Sequence, residues 1–254
     1  MFALEDLRVA RDGREILRLD RLALGAEGVT AILGHNGSGK STLMALLARQ
    51  MRPETGRITL EGRPLDRYRQ KALARRVSFL PQRLPPVAGL SVRDLVGLGR
   101  FAWRGALGRM GPADEAVIAQ AMRDTGCDAL ADHLVDSASG GERQRAWIAM
   151  LLAQEAPVLL LDEPTAALDL AHAYEVMALL HRLARDAGRH VIVILHDINL
   201  AARHADRIVA LKAGQVAFDG PPDRLLDAAV LRDLYGIEMT LLPHPAGPPQ
   251  AVVA

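Results

Sequence analysis

The sequence is short of cysteine, of net charge and of long apolar runs, and each shortage excludes something. Cys127 is the only cysteine among 254 residues, so no disulfide can form within the chain, which fits a reducing compartment. Lysine plus arginine number 31 and aspartate plus glutamate number 30, which gives a formal net charge of +1. That balance argues against a general nucleic-acid-binding role, and we predict no nucleic-acid partner.

No stretch reaches the roughly 18 uninterrupted apolar residues that a membrane span needs. The longest candidate, 146–161, is interrupted by Gln154, Glu155 and Pro157. The N-terminal sequence MFALEDLRVARDG carries acids and lacks the apolar core of a signal peptide. We therefore expect any work at a membrane to depend on a partner that holds the protein there.

Short apolar strands alternate with helical patterns along much of the chain. The stretches VTAILG, RVSFLPQ, VLLLDEP and VIVILHD are typical of buried strands. Alternation of strand, helix and strand predicts an α/β fold with a parallel sheet and crossover helices. Residues 86–156 are rich in Gly, Pro and Arg and then become helical, which predicts an α-helical insert in that fold.

Hairpin patterns flank these strands. FALEDLRV and EILRLDRLAL predict two strands around a turn at Asp12-Gly13, and GRITLEGRPL and RIVALKAGQVAFDGPP predict two further hairpins. PPDRLLDAAVLRDLYG predicts a final helix, and the proline-bearing end LLPHPAGPPQAVVA is expected to be a loose tail. We thus predict one domain over 1–240, with its core at 1–85 and 157–240, and a tail over 241–254.

One glycine-rich turn carries a phosphate-binding signature. GHNGSGKST fits G-x-x-x-x-G-K-[ST], follows a predicted strand and opens a predicted helix, which is the context that the motif requires. Its glycines let backbone N–H groups point at phosphate oxygens. Lys40 is expected to reach the β- and γ-phosphates, Ser41 to bind Mg²⁺ and Thr42 to help at the α-phosphate. The predicted nucleotide-binding residues of this loop are Gly34, His35, Asn36, Gly37, Ser38, Gly39, Lys40, Ser41 and Thr42.

Polar residues follow three other predicted strands, at the edge where α/β sheets bind ligands. Asp162 is expected to hold Mg²⁺ through its water shell, and Glu163 to act as a base that orients water toward the γ-phosphate. His196 is expected to contact the γ-phosphate. Gln82 is expected to touch the metal or the attacking water and to report the nucleotide state to the insert. The predicted catalytic residues are Lys40, Gln82, Glu163 and His196, and the predicted metal ligands are Ser41, Gln82 and Asp162.

The stretch SASGGERQR raises a question of its own. Ser139 can cap a helix whose first turn holds two glycines, and backbone N–H groups at such an end attract anions. The glycine-rich loop near residue 40 is already a better anion site. The residues of SASGGERQR alone do not say what a second one is for.

Taken together, these stretches resemble the ATP-binding subunits of ABC transporters. GHNGSGKST, Gln82, SGGERQR, LLLDEP, TAALD and His196 occur in that family's order and cover residues 1 to about 215. The resemblance implies a P-loop NTPase fold with a RecA-like core, an antiparallel β subdomain and an inserted α-helical subdomain. It also implies ATP and Mg²⁺ as cofactors, with Mg²⁺ carried by the nucleotide rather than by a protein metal cage.

The resemblance also implies a use for the second anion site. In this family two subunits dimerise head to tail and share each of two ATP molecules. Ser139, Gly140, Gly141 and Glu142 of one subunit are then expected to cap the γ-phosphate on the partner's P-loop, with residues 167–169 at the same junction. A bare helix N-terminus that faces another chain suits that arrangement chemically.

Two positions depart from the family pattern. Ala138 stands where the family usually has leucine, and because that residue packs rather than touches phosphate, we expect altered packing and retained activity. The family often stacks adenine on an aromatic residue in the first hairpin, where this chain has Arg11. A guanidinium plane can stack on a base, so Arg11 is the predicted adenine contact.

Other stretches resemble a narrower group within the family. LPPVAGLSVRDLVGLGR, WRGALGRMG, GGERQRAWIAMLLAQ, LHDINLAAR and YGIEM…LPHPAG look like the importer ATPases for iron–siderophore complexes, haem and vitamin B12, and most of all like the ferric hydroxamate type. This implies a homodimer, peripheral at the cytoplasmic face of a bacterial inner membrane, that docks on a polytopic permease served by an extracytoplasmic binding protein. The surface at 84–110 is expected to grip the permease, with Trp103 either an interface anchor or part of the insert's core.

Three alternatives stay open. The cargo can be haem, vitamin B12 or a catecholate siderophore complex instead, because the ATPase never contacts it. A soluble ABC ATPase of DNA repair or the ribosome is a second alternative, although such proteins usually carry tandem cassettes or a long coiled coil. A P-loop kinase or GTPase is the third, and SGGERQR argues against it.

Overall fold

The computed structural model describes residues 1–25, 28–105 and 108–254. Strands are the commonest element in the first third of the chain, and helices dominate the middle. The described strands are β1 (Phe2–Arg11), β2 (Arg14–Leu24), β3 (Val29–Leu33), β4 (Thr55–Leu60), β5 (Arg63–Pro64), β6 (Val77–Leu80), β7 (Val158–Asp162), β8 (His190–Ile194), β9 (Arg207–Lys212), β10 (Gln215–Gly220), β11 (Met239–Leu242) and β12 (Gln250–Val253).

The helices lie between these strands and after them. Among the described residues, no helix combines the length and apolar character that a bilayer crossing requires. The described α-helices are α1 (Lys40–Leu47), α2 (Gln70–Ala74), α3 (Val92–Leu98), α4 (Phe101–Arg104), α5 (Pro112–Asp124), α6 (Gly140–Ala153), α7 (Leu170–Asp186), α8 (Ile198–His204), α9 (Pro222–Leu225) and α10 (Ala228–Tyr235).

A six-stranded sheet in the order β10-β9-β3-β8-β7-β6 forms the centre of the fold. Neighbouring strands from β9 to β6 run parallel, and only β10 is antiparallel to its neighbour. Every residue of β3 and of β7 is buried, because helices or a second sheet cover both faces. The predicted α/β class and parallel sheet are confirmed, and the carboxyl ends of β3, β6, β7 and β8 meet at one edge.

A second, antiparallel sheet has the order β2-β1-β4-β5. Its first hairpin turns at Asp12 and Gly13, both of which adopt positive φ, as the sequence predicts. Apolar residues of this sheet, among them Leu4 and Leu17, form one core cluster with α1 and one face of the central sheet. Packing of β2 against α1 places the first hairpin beside the turn that precedes α1.

Helices α3 to α6 lie between β6 and β7 and form the predicted insert. Their packing centres on α6, which contacts both α3 and α5. The buried Arg100 fastens the insert because its guanidinium donates to Asp114 Oδ1 at 2.8 Å, to Glu155 Oε2 at 2.6 Å and to the Ala153 carbonyl at 2.9 Å. The helices span 92–153, and the insert limits of 86 and 156 stay a prediction.

The C-terminal region differs from the sequence-based expectation. The predicted loose tail is wrong, because β12 pairs with β11 and the Asn199 side chain of α8 exchanges two hydrogen bonds with the Ala251 backbone, at 3.1 and 2.8 Å. No local pattern reveals a strand whose partners are an amide side chain and a neighbouring short strand. The predicted final helix is also split, because Asp227 caps a new helix, α10, after α9 ends.

Candidate functional site

The turn between β3 and α1 depends on glycine. Gly34 has φ 141°, and a Cβ there would collide with the Leu211 carbonyl oxygen and lie 2.7 Å from Ser38 Oγ. Gly39, the N-cap of α1, has φ 100°. Both backbone conformations are rare for residues with a side chain, so the turn can form only with glycine at these positions.

Lys40 is the first residue of α1 and is only 5 % exposed. Its ammonium donates to the carbonyls of Gly34 at 2.7 Å and His35 at 2.9 Å. Burial lowers the pKa of Lys40, while the charges of Glu163 and Asp162 oppose that shift. The ammonium is thus held on loop carbonyls that it can exchange for phosphate oxygens.

Asp162 ends β7 and is 6 % exposed. Its Oδ1 accepts a hydrogen bond from Ser41 Oγ at 3.4 Å. Burial raises the pKa of Asp162, and the Ser41 hydrogen bond partly offsets the rise. A hydroxyl and a carboxylate are hard oxygen donors, which is the donor type that Mg²⁺ prefers.

Glu163 is held from two sides. Its Oε2 accepts from Gln82 Nε2 at 2.7 Å, and its Oε1 lies 2.6 Å from His196 Nε2. The three residues follow β6, β7 and β8, which are neighbours in the sheet, so parallel strands deliver all three to one edge. Glu163 has φ 52°, a left-handed conformation that non-glycine residues seldom adopt and that clusters at functional sites. The carboxylate is therefore fixed in direction, as a base that orients water must be.

A cleft of 410 Å³ lies between the P-loop and the side chains of Gln82, Glu163 and His196. The structure brings most of the predicted catalytic and P-loop residues together around it. The residues that line the cleft are Ile16, Asn36, Gly37, Gly39, Lys40, Ser41, Thr42, Gln82, Glu163 and His196. Gly34, Ser38 and His35 do not line it: Ser38 is buried, and the His35 ring packs against Tyr235.

The first hairpin meets the cleft through Ile16 rather than through Arg11. Arg11 is an exposed residue at the turn end of β1 and does not line the cleft, and its contact with adenine stays a prediction. The hairpin faces the P-loop with β2 instead: a Cβ on Gly39 would lie 3.0 Å from the Ile16 carbonyl oxygen. No local signal in the sequence shows that β2 is the strand that passes the loop.

The SASGGERQR stretch forms a helix start away from the cleft. Ser139 Oγ accepts from the Glu142 N–H at 3.3 Å, and Glu142 Oε2 accepts from the Ser139 N–H at 2.8 Å. These hydrogen bonds lower the pKa of the Glu142 carboxyl. A Cβ on Gly141 would lie 3.6 Å from the Leu168 side chain, and Gly140 faces Ala167, so the TAALD segment lies beside this helix start. Within one chain, none of these residues reaches the cleft.

The same helix is tied to the segment that follows Gln82. Arg143 of α6 donates to the Pro85 carbonyl at 3.0 Å. Sequence reasoning did not single out Arg143, because its partner lies 58 positions away. This hydrogen bond joins the segment that follows Gln82 to the first turn of α6.

Replacing Asp162 by asparagine is expected to stabilise the nucleotide-free protein. Because folding raises the pKa of Asp162, its contribution to stability is present below the unfolded pKa and lost as pH rises through the folded value. Near neutral pH the buried ionised carboxylate is therefore a cost that Asp162→Asn removes. We expect the melting temperature of the variant to exceed that of the wild type by about 2 °C or more at pH 7. The gain should shrink as the pH is lowered toward 4, and a gain that does not change with pH would contradict this account.

Comparison with known proteins shows which family this chain resembles. A family profile described as ABC transporter matches residues 18–166. The chain is 43 % identical over 217 residues to the achromobactin transport ATP-binding protein of Dickeya dadantii, covering 85 % of this chain and 81 % of that protein. It is 41 % identical over 224 residues to the ferric enterobactin transport ATP-binding protein of Escherichia coli, covering 88 % and 83 %. It is 36 % identical over 241 residues to the iron(3+)-hydroxamate import ATP-binding protein of Bacillus subtilis, covering 95 % and 90 %.

Solved structures of ABC transporter proteins have a fold similar to that of this chain. An ABC transporter described as metal-chelate type, in an inward-facing conformation, has a TM-score of 0.85 at 28 % identity and covers 100 % of this chain and 97 % of that chain. A dimeric ATP-binding cassette in a post-hydrolysis state, bound to ADP and Pi, has a TM-score of 0.78 at 27 % identity and covers 87 % and 99 %.

Proposed function

The chain belongs to the ABC transporter family as an ATP-hydrolysing, ATP-binding subunit, and from this premise we propose that it powers the import of ferric hydroxamate siderophores. The coarser role, energising import of iron–siderophore complexes or haem, fits all the relatives described above. Two copies would dock on a polytopic permease at the cytoplasmic face of a bacterial inner membrane. An extracytoplasmic binding protein would deliver the cargo.

One observation carries the mechanism: the groups for hydrolysis share one cleft, while the start of α6 lies outside it. Glu163, fixed by Gln82 and His196, orients the attacking water, and Lys40 neutralises charge on the β- and γ-phosphates. The start of α6 is absent from the lining of that cleft, so its donors are free to serve the γ-phosphate bound to another copy. Ser139 and the bare first turn of α6 in a second copy would supply them.

Mg²⁺ is part of this proposal. Ser41 and Asp162 are the residues that would hold it, and the ion would neutralise charge on the phosphates when bound. Gln82, the third predicted ligand, donates to Glu163 from its amide nitrogen and has its amide oxygen left for a metal or a water.

The insert presents an exposed apolar surface suited to a permease. Its members are large hydrophobic side chains on or beside α3 and α4, namely Leu98, Phe101, Trp103 and Met110. Trp103 is compatible with both predicted roles: its Nε1–H donates to the Gln154 carbonyl at 2.8 Å and the Arg75 guanidinium lies 4.9 Å from its ring centroid, yet 38 % of it is exposed. Ala106 and Leu107, inside the predicted docking segment, lie outside the described residues.

Replacing Phe101 by glutamate is expected to uncouple the subunit from its permease. Phe101 is 55 % exposed on α4, so a charge there leaves the core intact but puts an unpaired carboxylate into an apolar contact. We expect co-purification with the permease to fall at least about tenfold, with ATP binding unchanged. Leu242→Glu, at a 49 % exposed leucine on β11, is the matched control and should co-purify normally. Equal recovery of both variants with the permease would exclude this surface.

The cargo is the least constrained part of the proposal. Support for a hydroxamate comes from the stretches GALGR and LPHPAG and from the relative of that name, which aligns with 95 % of this chain. Petrobactin and hemin import relatives align with 96 % and 94 % of the chain at 39 % and 41 % identity, so haem and other siderophores are the competing cargoes.

Uptake in cells tests the proposal. Cells that carry the wild-type protein or its Lys40→Ala variant would be given radioiron as ferric hydroxamate, ferric enterobactin or achromobactin complexes, with labelled haem and vitamin B12 in parallel. We expect Lys40→Ala to abolish hydroxamate uptake alone. Loss of another cargo instead would replace the substrate, and unchanged uptake of every cargo would favour a soluble ABC ATPase over an importer.

A further inference from the structure

His35 is a P-loop residue whose side chain does not face the cleft. Its neighbours Asn36 and Gly37 line the cleft, but the His35 ring packs edge-on against the ring of Tyr235, with centroids 5.2 Å apart and planes at 64°. Tyr235 is the last residue of α10, in a part of the chain well beyond residues 18–166 that the family profile covers. The C-terminal helix thus contacts the P-loop directly.

The helix that carries Tyr235 is anchored close to the same loop. Lys212, at the end of β9, donates from its ammonium to the Asp233 carbonyl and to Asp233 Oδ1. The carbonyl oxygen of the preceding residue, Leu211, leaves no room for a side chain at Gly34. Leu231 and Leu234 are buried, which fixes the helix against the core. Tyr235 is partly buried at the end of this anchored helix, and its ring lies beside His35.

In the nucleotide-free protein, the His35 backbone helps to hold Lys40. Its carbonyl and that of Gly34 accept both hydrogen bonds that hold the Lys40 ammonium. When Lys40 binds phosphate, its ammonium must give up these hydrogen bonds. The loop must meanwhile keep its backbone conformation so that its N–H groups face the ligand. A loop that is held from outside loses less conformational freedom when nucleotide binds.

We propose that Tyr235 is a positioning residue for ATP: its ring holds His35, and through it the P-loop, in the conformation that receives the phosphates. The aromatic ring carries this role and the hydroxyl does not. Burial raises the pKa of Tyr235 to about 12, so the phenol is neutral at any working pH. An edge-on ring contact of this kind should change ATP affinity by about threefold to tenfold when it is lost.

The test measures equilibrium binding of a fluorescent ATP analogue, with Mg²⁺, to the purified full chain, together with KM and kcat for ATP. We expect Tyr235→Ala to raise both the dissociation constant and KM by about threefold to tenfold, with kcat within about twofold of the wild type. Tyr235→Phe should restore wild-type values because it keeps the ring.

Tyr174→Ala is the matched control. Tyr174 also makes an edge-on contact with a histidine, His204, at 5.7 Å and 76°, but away from the cleft. It should lower the melting temperature as Tyr235→Ala does and leave ATP affinity unchanged. If Tyr235→Ala fails to fold, His35→Ala removes the other ring and keeps the backbone carbonyl, and it should weaken binding to the same extent.

Two results would overturn the proposal. One is unchanged ATP affinity in both Tyr235→Ala and His35→Ala. The other is an equal loss of affinity in Tyr174→Ala, which would show that general destabilisation, and not the His35 contact, is responsible. The assay contains the purified chain and nucleotide but no cargo. Neither result therefore depends on the identity of the transported cargo.

Discussion

Replacing Glu163 by glutamine is expected to leave ATP binding intact and to lower hydrolysis at least about tenfold. Glutamine keeps the shape of the side chain and an oxygen that can accept from Gln82, but it cannot orient and polarise water as a carboxylate can. With hydrolysis blocked, two ATP molecules should hold two subunits together. The variant is therefore expected to elute as a dimer in ATP, by size-exclusion chromatography, and as a monomer without nucleotide.

Glu61→Gln provides the matched control for this prediction. Both carboxylate oxygens of Glu61 also have a partner, the guanidinium of Arg76 at 2.8 and 2.7 Å, but Glu61 lies far from the cleft in the turn between β4 and β5. Its substitution should leave turnover and dimerisation unchanged. Near-normal turnover in Glu163→Gln would remove Glu163 from its proposed role.

Replacing Ser139 by arginine is expected to abolish hydrolysis while a monomer still binds ATP. Ser139 lies outside the cleft of its own chain, so a bulky cation there leaves the P-loop and Lys40 untouched. In a head-to-tail dimer it would instead face the ATP of the partner and replace the capping donors of that one site by a bulky side chain. We expect the dissociation constant of ATP for the monomer to stay within about twofold and turnover to fall at least about tenfold.

Ser91→Arg separates this effect from a lost helix cap. Ser91 caps α3 with a capping box of the same kind, closed by Asp94, so both variants should lose about 1 kcal/mol of stability from the cap. Only Ser139→Arg should lose hydrolysis. Full activity in Ser139→Arg would defeat the shared-site mechanism, and equal loss in both variants would attribute the defect to helix stability.

Most of the site follows from sequence because it depends on strand order. Gln82, Glu163 and His196 each follow an apolar strand, and parallel strands bring their carboxyl ends to one edge. The left-handed backbone of Glu163 and the two hydrogen-bond partners of its carboxylate could not be predicted, because no local pattern encodes them. Pattern reading therefore located the groups but not their orientation.

Long-range packing accounts for the parts that sequence reasoning missed. Ile16 lines the cleft because β2 crosses the P-loop, and Tyr235 reaches His35 across 200 positions of sequence. The hairpin of β11 and β12 is held by Asn199, whose pairing with Ala251 spans 52 positions. In each case the signal is a contact between distant residues, which periodicity and spacing do not contain.

The central claim, that each ATP is shared by two copies of the chain, is tested most directly by mixing two inactive variants. Lys40→Ala disables a subunit's P-loop, and Ser139→Arg disables the cap that it offers its partner. A mixed dimer would contain one intact site, made from the P-loop of the Ser139→Arg subunit and the helix start of the Lys40→Ala subunit.

ATP turnover of an equimolar mixture, with each variant alone as its control, is the measurement. If the two sites work independently, random pairing makes half of the dimers mixed, each with one of two sites intact, so the account predicts about one quarter of wild-type turnover. A mixture as inactive as its components, although the mixed dimer forms, would contradict a site built from two chains.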